Sequence, residues 1–90
     1  MRNTLKVERA KLNMTQKDLA LILGVNPGTI NSIETKRYEP SAVLALRIAK
    51  FFKISFDQLF QLESEDIKYF NGYSPDDDIL EFKQGKPIYR

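Results

Sequence analysis

The sequence contains no cysteine, no histidine and no tryptophan. Without cysteine the chain has no disulfide framework and no thiolate for a metal or a substrate. Without histidine it lacks the commonest general base and the commonest metal ligand. No apolar run approaches the roughly 20 residues that span a bilayer. We therefore expect no enzyme activity, no cofactor, no metal site and no membrane partner.

What the sequence does contain is the composition of one small globular domain. Its 90 residues are 42% hydrophobic and 29% charged, which suits a compact domain rather than a disordered segment. Charged side chains recur from Arg2 to Asp18, so the first 25 residues do not resemble a secretory signal. These features predict a cytoplasmic protein.

Charge is distributed unevenly along the chain. Residues 1–62 hold ten lysines and arginines against five acidic residues, whereas residues 63–90 hold four against seven. A basic body of this kind suits a polyanionic partner. Ordinary scatter of surface charge is the alternative, and charge alone does not separate the two interpretations.

Helix signals follow one another almost to residue 62 and predict an all-α fold. Five helices are expected, over residues 4–13, 15–23, 27–36, 41–52 and 55–62. The fourth is apolar nearly all round, which is typical of a helix in the middle of a bundle. We expect residues 1–62 to form one domain and residues 63–90 to form an acidic C-terminal extension.

The second and third helices have the clearest boundaries. Thr15 and Asp18 fit a capping box, and Gly24 suits the left-handed residue that ends a helix. Between them, the spacing of Leu19, Ile22 and Leu23 predicts one apolar stripe. Asn26 is then a good N-cap, with Pro27 at the first helical position. Two short helices joined by a tight turn containing glycine are the signature of a helix-turn-helix.

The third helix has two different faces. Ile30 and Ile33 point one way, and the opposite stripe consists of small uncharged residues, namely Gly28, Asn31, Ser32 and Thr35. Such side chains read base edges in the DNA major groove, where Asn pairs bidentately with adenine. The alternative is an ordinary solvent-exposed face, but the capped turn and the positive body favour DNA.

Further candidate DNA contacts flank this stripe. Thr29 offers a hydroxyl and a methyl group, Lys36 and Arg37 follow the helix where phosphates are met, and Gln16 begins the preceding helix. From the residues alone, the expected DNA contacts are Gln16, Gly28, Thr29, Asn31, Ser32, Lys36 and Arg37.

These residues resemble a known family. The pattern that carries the resemblance is Thr15, Gln16, Leu19, Ala20, Leu23, Gly24, Val25, Thr29, Ile30, Ile33, Glu34, Pro40, Ser41, Ile48 and Ala49. It is similar to the lambda repressor/Cro-type helix-turn-helix of the xenobiotic-response-element (XRE) regulators, and it covers residues 4–62. The resemblance implies a five-helix domain in which residues 15–23 position a recognition helix at 27–36.

The resemblance also implies particular roles, and it completes the set of expected DNA-binding residues as Thr15, Gln16, Asn26, Pro27, Gly28, Thr29, Asn31, Ser32, Lys36 and Arg37. Gln16 matches the family's polar anchor at a phosphate and the outer base pair, and Glu34 matches a position that forms a structural ion pair, here with Arg9. Pro27 and Gly28 depart from the family, because many relatives carry Gln, Arg or Lys there. Selectivity is then expected to depend more on Thr29, Asn31, Ser32 and DNA deformability.

The C-terminal extension has weaker signals. Apolar residues around Lys83–Lys86 predict a small β-hairpin, with a mobile end that orders only against a partner as the alternative. Pro87 would confine its second strand to an edge. The run Asp76–Asp78 lacks the spacing of a calcium loop and is expected to be solvated.

We expect a homodimer, because one such module buries too little DNA for tight specific binding. Its expected contacts are Phe56, Phe60, Leu80, Phe82 and Ile88, unless these side chains are buried within one subunit. The sequence thus predicts a regulator of transcription, with a repressor favoured, on a pseudo-palindromic double-stranded DNA operator. The alternative is an antitoxin or adaptor whose C-terminal tail docks a partner protein.

Overall fold

The structure, a computed structural model, describes residues 1–67 and 78–90. Within these residues the chain forms six helices and four short strands. The helices are α1 (Leu5–Lys11), α2 (Gln16–Leu23), α3 (Pro27–Glu34), α4 (Ala42–Phe52), α5 (Phe56–Leu59) and α6 (Ser64–Ile67). The strands are β1 (Arg2–Asn3), β2 (Phe60–Gln61), β3 (Ile79–Lys83) and β4 (Lys86–Tyr89). The fold is mostly helical, with one helix more than the five expected.

The predicted ends of α2 are confirmed. The Thr15 hydroxyl accepts a hydrogen bond of 3.0 Å from the Asp18 amide, and the Asp18 carboxylate accepts one of 2.9 Å from the Thr15 amide. Gly24 ends the helix in the left-handed conformation, with φ of 69°. These local interactions satisfy amides that the helix itself leaves without partners.

The predicted start of α3 is also confirmed. The Asn26 side chain accepts a hydrogen bond of 2.7 Å from the Gly28 amide, and Pro27 is the first helical residue. The helix ends at Glu34, two residues before the expected Lys36. Lys36 instead takes φ of 64°, and the Arg37 amide reaches back to the Ser32 carbonyl at 2.9 Å.

Among the residues that the structure describes, an apolar core joins helices α1–α5 and strand β2. Its buried members are Leu5, Leu19, Ala20, Leu23, Ile30, Ile33, Leu44, Ala45, Ile48, Ala49, Leu59 and Phe60. The inward positions of Ile30 and Ile33 are confirmed. Together they fix which face of α3 turns away from the body.

Two expectations about the core are wrong. Ile22, expected beside Leu19 and Leu23, is 52% exposed, and Ala20 is buried in its place. At 100° per residue, Leu19, Ala20 and Leu23 share one face, and Ile22 lies more than a quarter turn from its centre. Similarly, α4 is not surrounded on all sides, since Val43 and Leu46 are exposed.

A short antiparallel pair between β1 and β2 ties the start of the chain to the end of α5. Arg2 lies opposite Gln61 and Asn3 opposite Phe60. This pairing ends α5 at Leu59, earlier than the expected residue 62. It also buries Phe60 to 3% exposure, so its expected role as a dimer contact is corrected. Strands of two residues show no periodicity from which they might be predicted.

The predicted hairpin is present. Strands β3 and β4 pair antiparallel, with Lys83 opposite Lys86 and Phe82 opposite Pro87. Gln84 and Gly85 connect them with φ of 52° and 75°, which is the two-residue turn that matches strand twist. A bulge interrupts the register between Ile79 and Glu81. Asp76 and Asp77 of the acidic run lie outside the described residues.

Candidate nucleic-acid interface

The outward face of α3 is polar and uncharged. Gly28 is exposed, and Thr29, Asn31 and Ser32 are half-buried along the side opposite the core. A shallow cleft of about 510 Å³ runs along this face, lined by Asn26, Gly28, Thr29, Ser32 and Tyr38. Four of these five residues are among the expected DNA contacts, and the structure brings them together. Tyr38 was not expected, because it follows the helix rather than lying on it.

A hydrogen-bonded network holds the side of α3 against α2. The Gln16 side-chain amide donates to the Asn31 side-chain oxygen and to the Glu34 carboxylate, at 3.1 Å each. Fixing the Asn31 oxygen also fixes the orientation of its amide nitrogen, since both atoms are bonded to one carbon. Gln16 therefore orients Asn31, in addition to any contact of its own with DNA.

The same network extends to α1 through Arg9. Its guanidinium donates from Nε to one Glu34 oxygen at 2.9 Å and from a terminal nitrogen to the other at 3.2 Å. A third hydrogen bond of 2.6 Å reaches the Met14 carbonyl. The side-chain hydrogen bond to Glu34 raises the pKa of Arg9, which favours the charged guanidinium. The ion pair implied by the family resemblance is thus present in the structure.

Lys36 and Arg37 lie in the loop after α3, where phosphate contacts were expected. The Arg37 side chain is exposed, but the Lys36 ammonium forms an ion pair of 2.9 Å with Glu63. This contact lowers the pKa of the Glu63 carboxyl. The acidic C-terminal segment therefore begins directly beside the end of α3. This contact was not predicted from the sequence, in which the two segments were interpreted separately.

Asn3 supports the interface and was missed in the sequence. Its side-chain amide donates to the Ile33 carbonyl at 3.0 Å, and its oxygen accepts from the Leu5 amide at 3.2 Å. It therefore links the N-terminal strand to the last turn of α3. The position of Asn3, two residues before the start of α1, is a local capping signal that the sequence contains. Its bond to α3 could not be predicted from such a signal, because it spans 30 residues of sequence.

Arg47 supports the preceding helix in a similar way. Its guanidinium donates to the carbonyl of Leu23 at the C-terminal end of α2, at 2.9 Å. A cation at this end of a helix satisfies an exposed carbonyl and complements the helix dipole. Thr15, at the other end of α2, is exposed, and its hydroxyl belongs to the capping box.

In the parts of the chain that the structure describes, no helix is long and apolar enough to cross a membrane. Within the same residues, no three acidic side chains converge on a point where a metal would bind.

Two capped helices at a tight turn, with the second presenting small polar side chains outward, define a helix-turn-helix of the DNA-binding class. The helix-turn-helix family model HTH_3 matches residues 5–59. The chain belongs to this family, the Cro/CI-type XRE regulators.

Curated relatives support the same assignment. An uncharacterised HTH-type transcriptional regulator of Methanocaldococcus jannaschii is 47% identical over 66 residues, covering 73% of this chain and all of that protein. Another from Archaeoglobus fulgidus is 40% identical over 67 residues, covering 74% of this chain and 94% of its own length. A third, from Bacillus subtilis, is 38% identical over 66 residues, covering 73% of this chain and its own full length.

Proposed function

We propose that this protein is a sequence-specific transcriptional regulator that binds double-stranded DNA as a homodimer, with α3 in the major groove. The observation that carries this proposal is the outward stripe of α3. Ile30 and Ile33 anchor the helix in the core, while Gln16 holds Asn31 in one orientation. An uncharged, preoriented stripe can enter the groove without burying an unpaired charge.

Each residue of the stripe has a role in this proposal. Asn31 pairs with an adenine, Ser32 donates or accepts at a neighbouring base, and Thr29 contacts a thymine methyl group. Gly28 leaves room for the helix cap, because a Cβ at this position would stand 3.1 Å from the Asn26 side-chain oxygen that caps the helix. Asn26 and Pro27 lie at the start of α3, where the first turn of the helix approaches the DNA closely.

Phosphate contacts hold α3 in place. Arg37 and the exposed start of α2, at Thr15 and Gln16, contact the backbone directly. Lys36 joins them when a phosphate takes the place of Glu63. These contacts supply affinity without selectivity.

A repressor fits this set of contacts best, because occupancy of an operator alone blocks transcription and requires no further chemistry. Two copies related by a two-fold axis would read half-sites about 34 Å apart on a pseudo-palindromic operator. The two copies together would make twice as many base contacts as one copy.

The test compares binding of the full chain to a selected operator and to random DNA. Asn31→Ala and Ser32→Ala are expected to weaken operator binding by about 1–3 kcal/mol each and to leave binding to random DNA nearly unchanged. Arg37→Ala is expected to weaken both and to reduce the salt slope by about 1. Lys50→Ala, which removes the same charge from the exposed side of α4, is the control. An unchanged preference in the Asn31 and Ser32 variants would reject the proposal.

An antitoxin or adaptor is the second candidate function, and the exposed apolar side chains of β3 and β4 favour it. In that case the C-terminal segment docks a different protein, and DNA binding depends on that partner. The purified chain would then bind DNA weakly and remain at its monomer mass of 10.4 kDa.

A further inference from the structure

The β3–β4 hairpin is apolar and largely exposed. Leu80 is 57% and Phe82 61% exposed, and Ile79, Ile88 and Tyr89 are also exposed. The hairpin lies outside residues 5–59, which match the family. The exposed strands are therefore an addition to the DNA-binding fold.

The two edges of the hairpin differ in their hydrogen-bonding groups. Lys83 and Lys86 close a two-residue turn, so they form a hydrogen-bonded pair. The next pair, Phe82 and Pro87, is then of the other kind, with its backbone groups directed outward. Pro87 has no N–H, which leaves the outer edge of β4 without that donor. On β3, by contrast, the outer edge presents both the N–H and the carbonyl of Phe82.

We infer that the outer edge of β3 pairs antiparallel with β3 of a second copy, around a two-fold axis at Phe82. The inference rests on the homodimer of the proposed function and assigns its contact surface. In this register Phe82 forms a hydrogen-bonded pair with the partner's Phe82, and the two hairpins become one four-stranded sheet.

Charge complementarity supports this register. With Phe82 on the axis, Glu81 lies opposite the partner's Lys83, and Lys83 lies opposite the partner's Glu81. These are the pairs in which Cα atoms approach most closely, at about 4.5 Å. Opposite charges at such positions stabilise a sheet, and the symmetry provides the favourable pair twice.

The first test uses Lys83→Glu in the full chain. Within one hairpin this change replaces the like-charge pair of Lys83 and Lys86 by an opposite-charge pair, which offsets the loss of the exposed 3.5 Å ion pair between Lys83 and Glu81. Between copies, it places two carboxylates opposite each other at two sites. We expect the dimer dissociation constant to rise roughly tenfold or more. The double exchange Glu81→Lys with Lys83→Glu restores opposite charges and should restore the dimer.

The second test removes the outward donor of β3. Phe82→Pro deletes an N–H that the hairpin does not use internally, and it should leave the chain monomeric. Phe82→Val keeps this N–H and strand propensity, and it should still dimerise, although more weakly. Sedimentation over about a hundredfold range of protein concentration gives the mass of each variant.

The outcomes separate this inference from the proposed function. If the parent chain dimerises but Lys83→Glu and Phe82→Pro also dimerise equally well, the β3 contact is rejected while the homodimer stands. If the parent chain stays at 10.4 kDa throughout, both the β3 contact and the homodimer are rejected, and a different protein becomes the expected occupant of β3. Base reading by Asn31 is tested independently of either result.

Discussion

At the scale of residues, the most informative feature is the network of Arg9, Gln16, Asn31 and Glu34. These side chains come from three helices and connect the core side of α1 to the outward face of α3. The Glu34 side chain is 5% exposed and that of Arg9 14%. A nearly buried ion pair therefore helps to fix the orientation of Asn31 at the surface.

Arg9→Ala is expected to lower the free energy of unfolding by about 3 kcal/mol, because Glu34 would remain buried without its cation. Arg9→Lys is the matched control. Lysine keeps the positive charge but loses the bidentate geometry of the guanidinium, so the decrease in the free energy of unfolding should be smaller than for Arg9→Ala. Urea denaturation measures both variants, and an unchanged midpoint for Arg9→Ala would contradict this account.

Gln16→Ala is expected to weaken operator binding more than it weakens folding. One neutral hydrogen bond contributes only about 1 kcal/mol to stability, but the change also releases the Asn31 amide, which we propose contacts a base. Gln61→Ala removes a comparable amide that bonds Arg2 in the β1–β2 pair. Parallel DNA titrations should show the operator effect for Gln16 alone.

Glu63→Gln is expected to strengthen binding to random DNA, because it releases Lys36 for a phosphate. The gain should vanish when Lys36→Ala is added, since the same lysine provides it. Asp57→Asn, in the first turn of α5, removes an equal charge without touching Lys36. If that control strengthens binding as much, general charge rather than the ion pair is responsible.

At the scale of elements, the starts of the helices were predictable because they depend on neighbouring residues. Thr15, Asn26, Ser41 and Ser55 each lie directly before a helix and accept the capping hydrogen bond that such side chains favour there. The β1–β2 pair was not predictable, because it joins residues almost 60 positions apart. Local rules define where a helix starts, and packing decides which face it buries.

Acid is expected to weaken the start of α2. Hydrogen bonds from the backbone and side chain of Thr15 lower the pKa of Asp18. A carboxyl group whose folded pKa is lowered contributes stability above its unfolded pKa of about 3.9, and this contribution is lost as pH falls through the folded pKa. Unfolding free energies measured across this range should decline less steeply for Asp18→Asn than for the parent chain.

At the scale of the whole molecule, the sequence indicated the parts better than their arrangement. The outward stripe of α3 and the hairpin followed from periodicity and turn residues. The placement of Phe60 in the core and the Lys36–Glu63 contact did not, because both depend on where distant segments meet. A basic body and an acidic extension were visible in the composition, but their contact at α3 was not.

Operator geometry should report directly on the two-copy assembly. Inserting about five base pairs between half-sites turns one of them to the opposite side of the duplex, so binding should fall sharply. Inserting about ten base pairs returns both half-sites to the same side of the duplex and should recover part of the affinity. A monomeric Lys83→Glu variant should be insensitive to either insertion, and equal sensitivity would argue against assembly through β3.

Pro87 has a consequence for how far such assembly proceeds. A ribbon that could recruit neighbours on both sides would grow into a fibre, as open strands of this apolar character tend to do. Because Pro87 leaves the outer edge of β4 without that donor, we expect strand addition to stop once two copies have paired through β3. Pro87 would then limit the proposed assembly to two copies and protect the exposed apolar hairpin from aggregation.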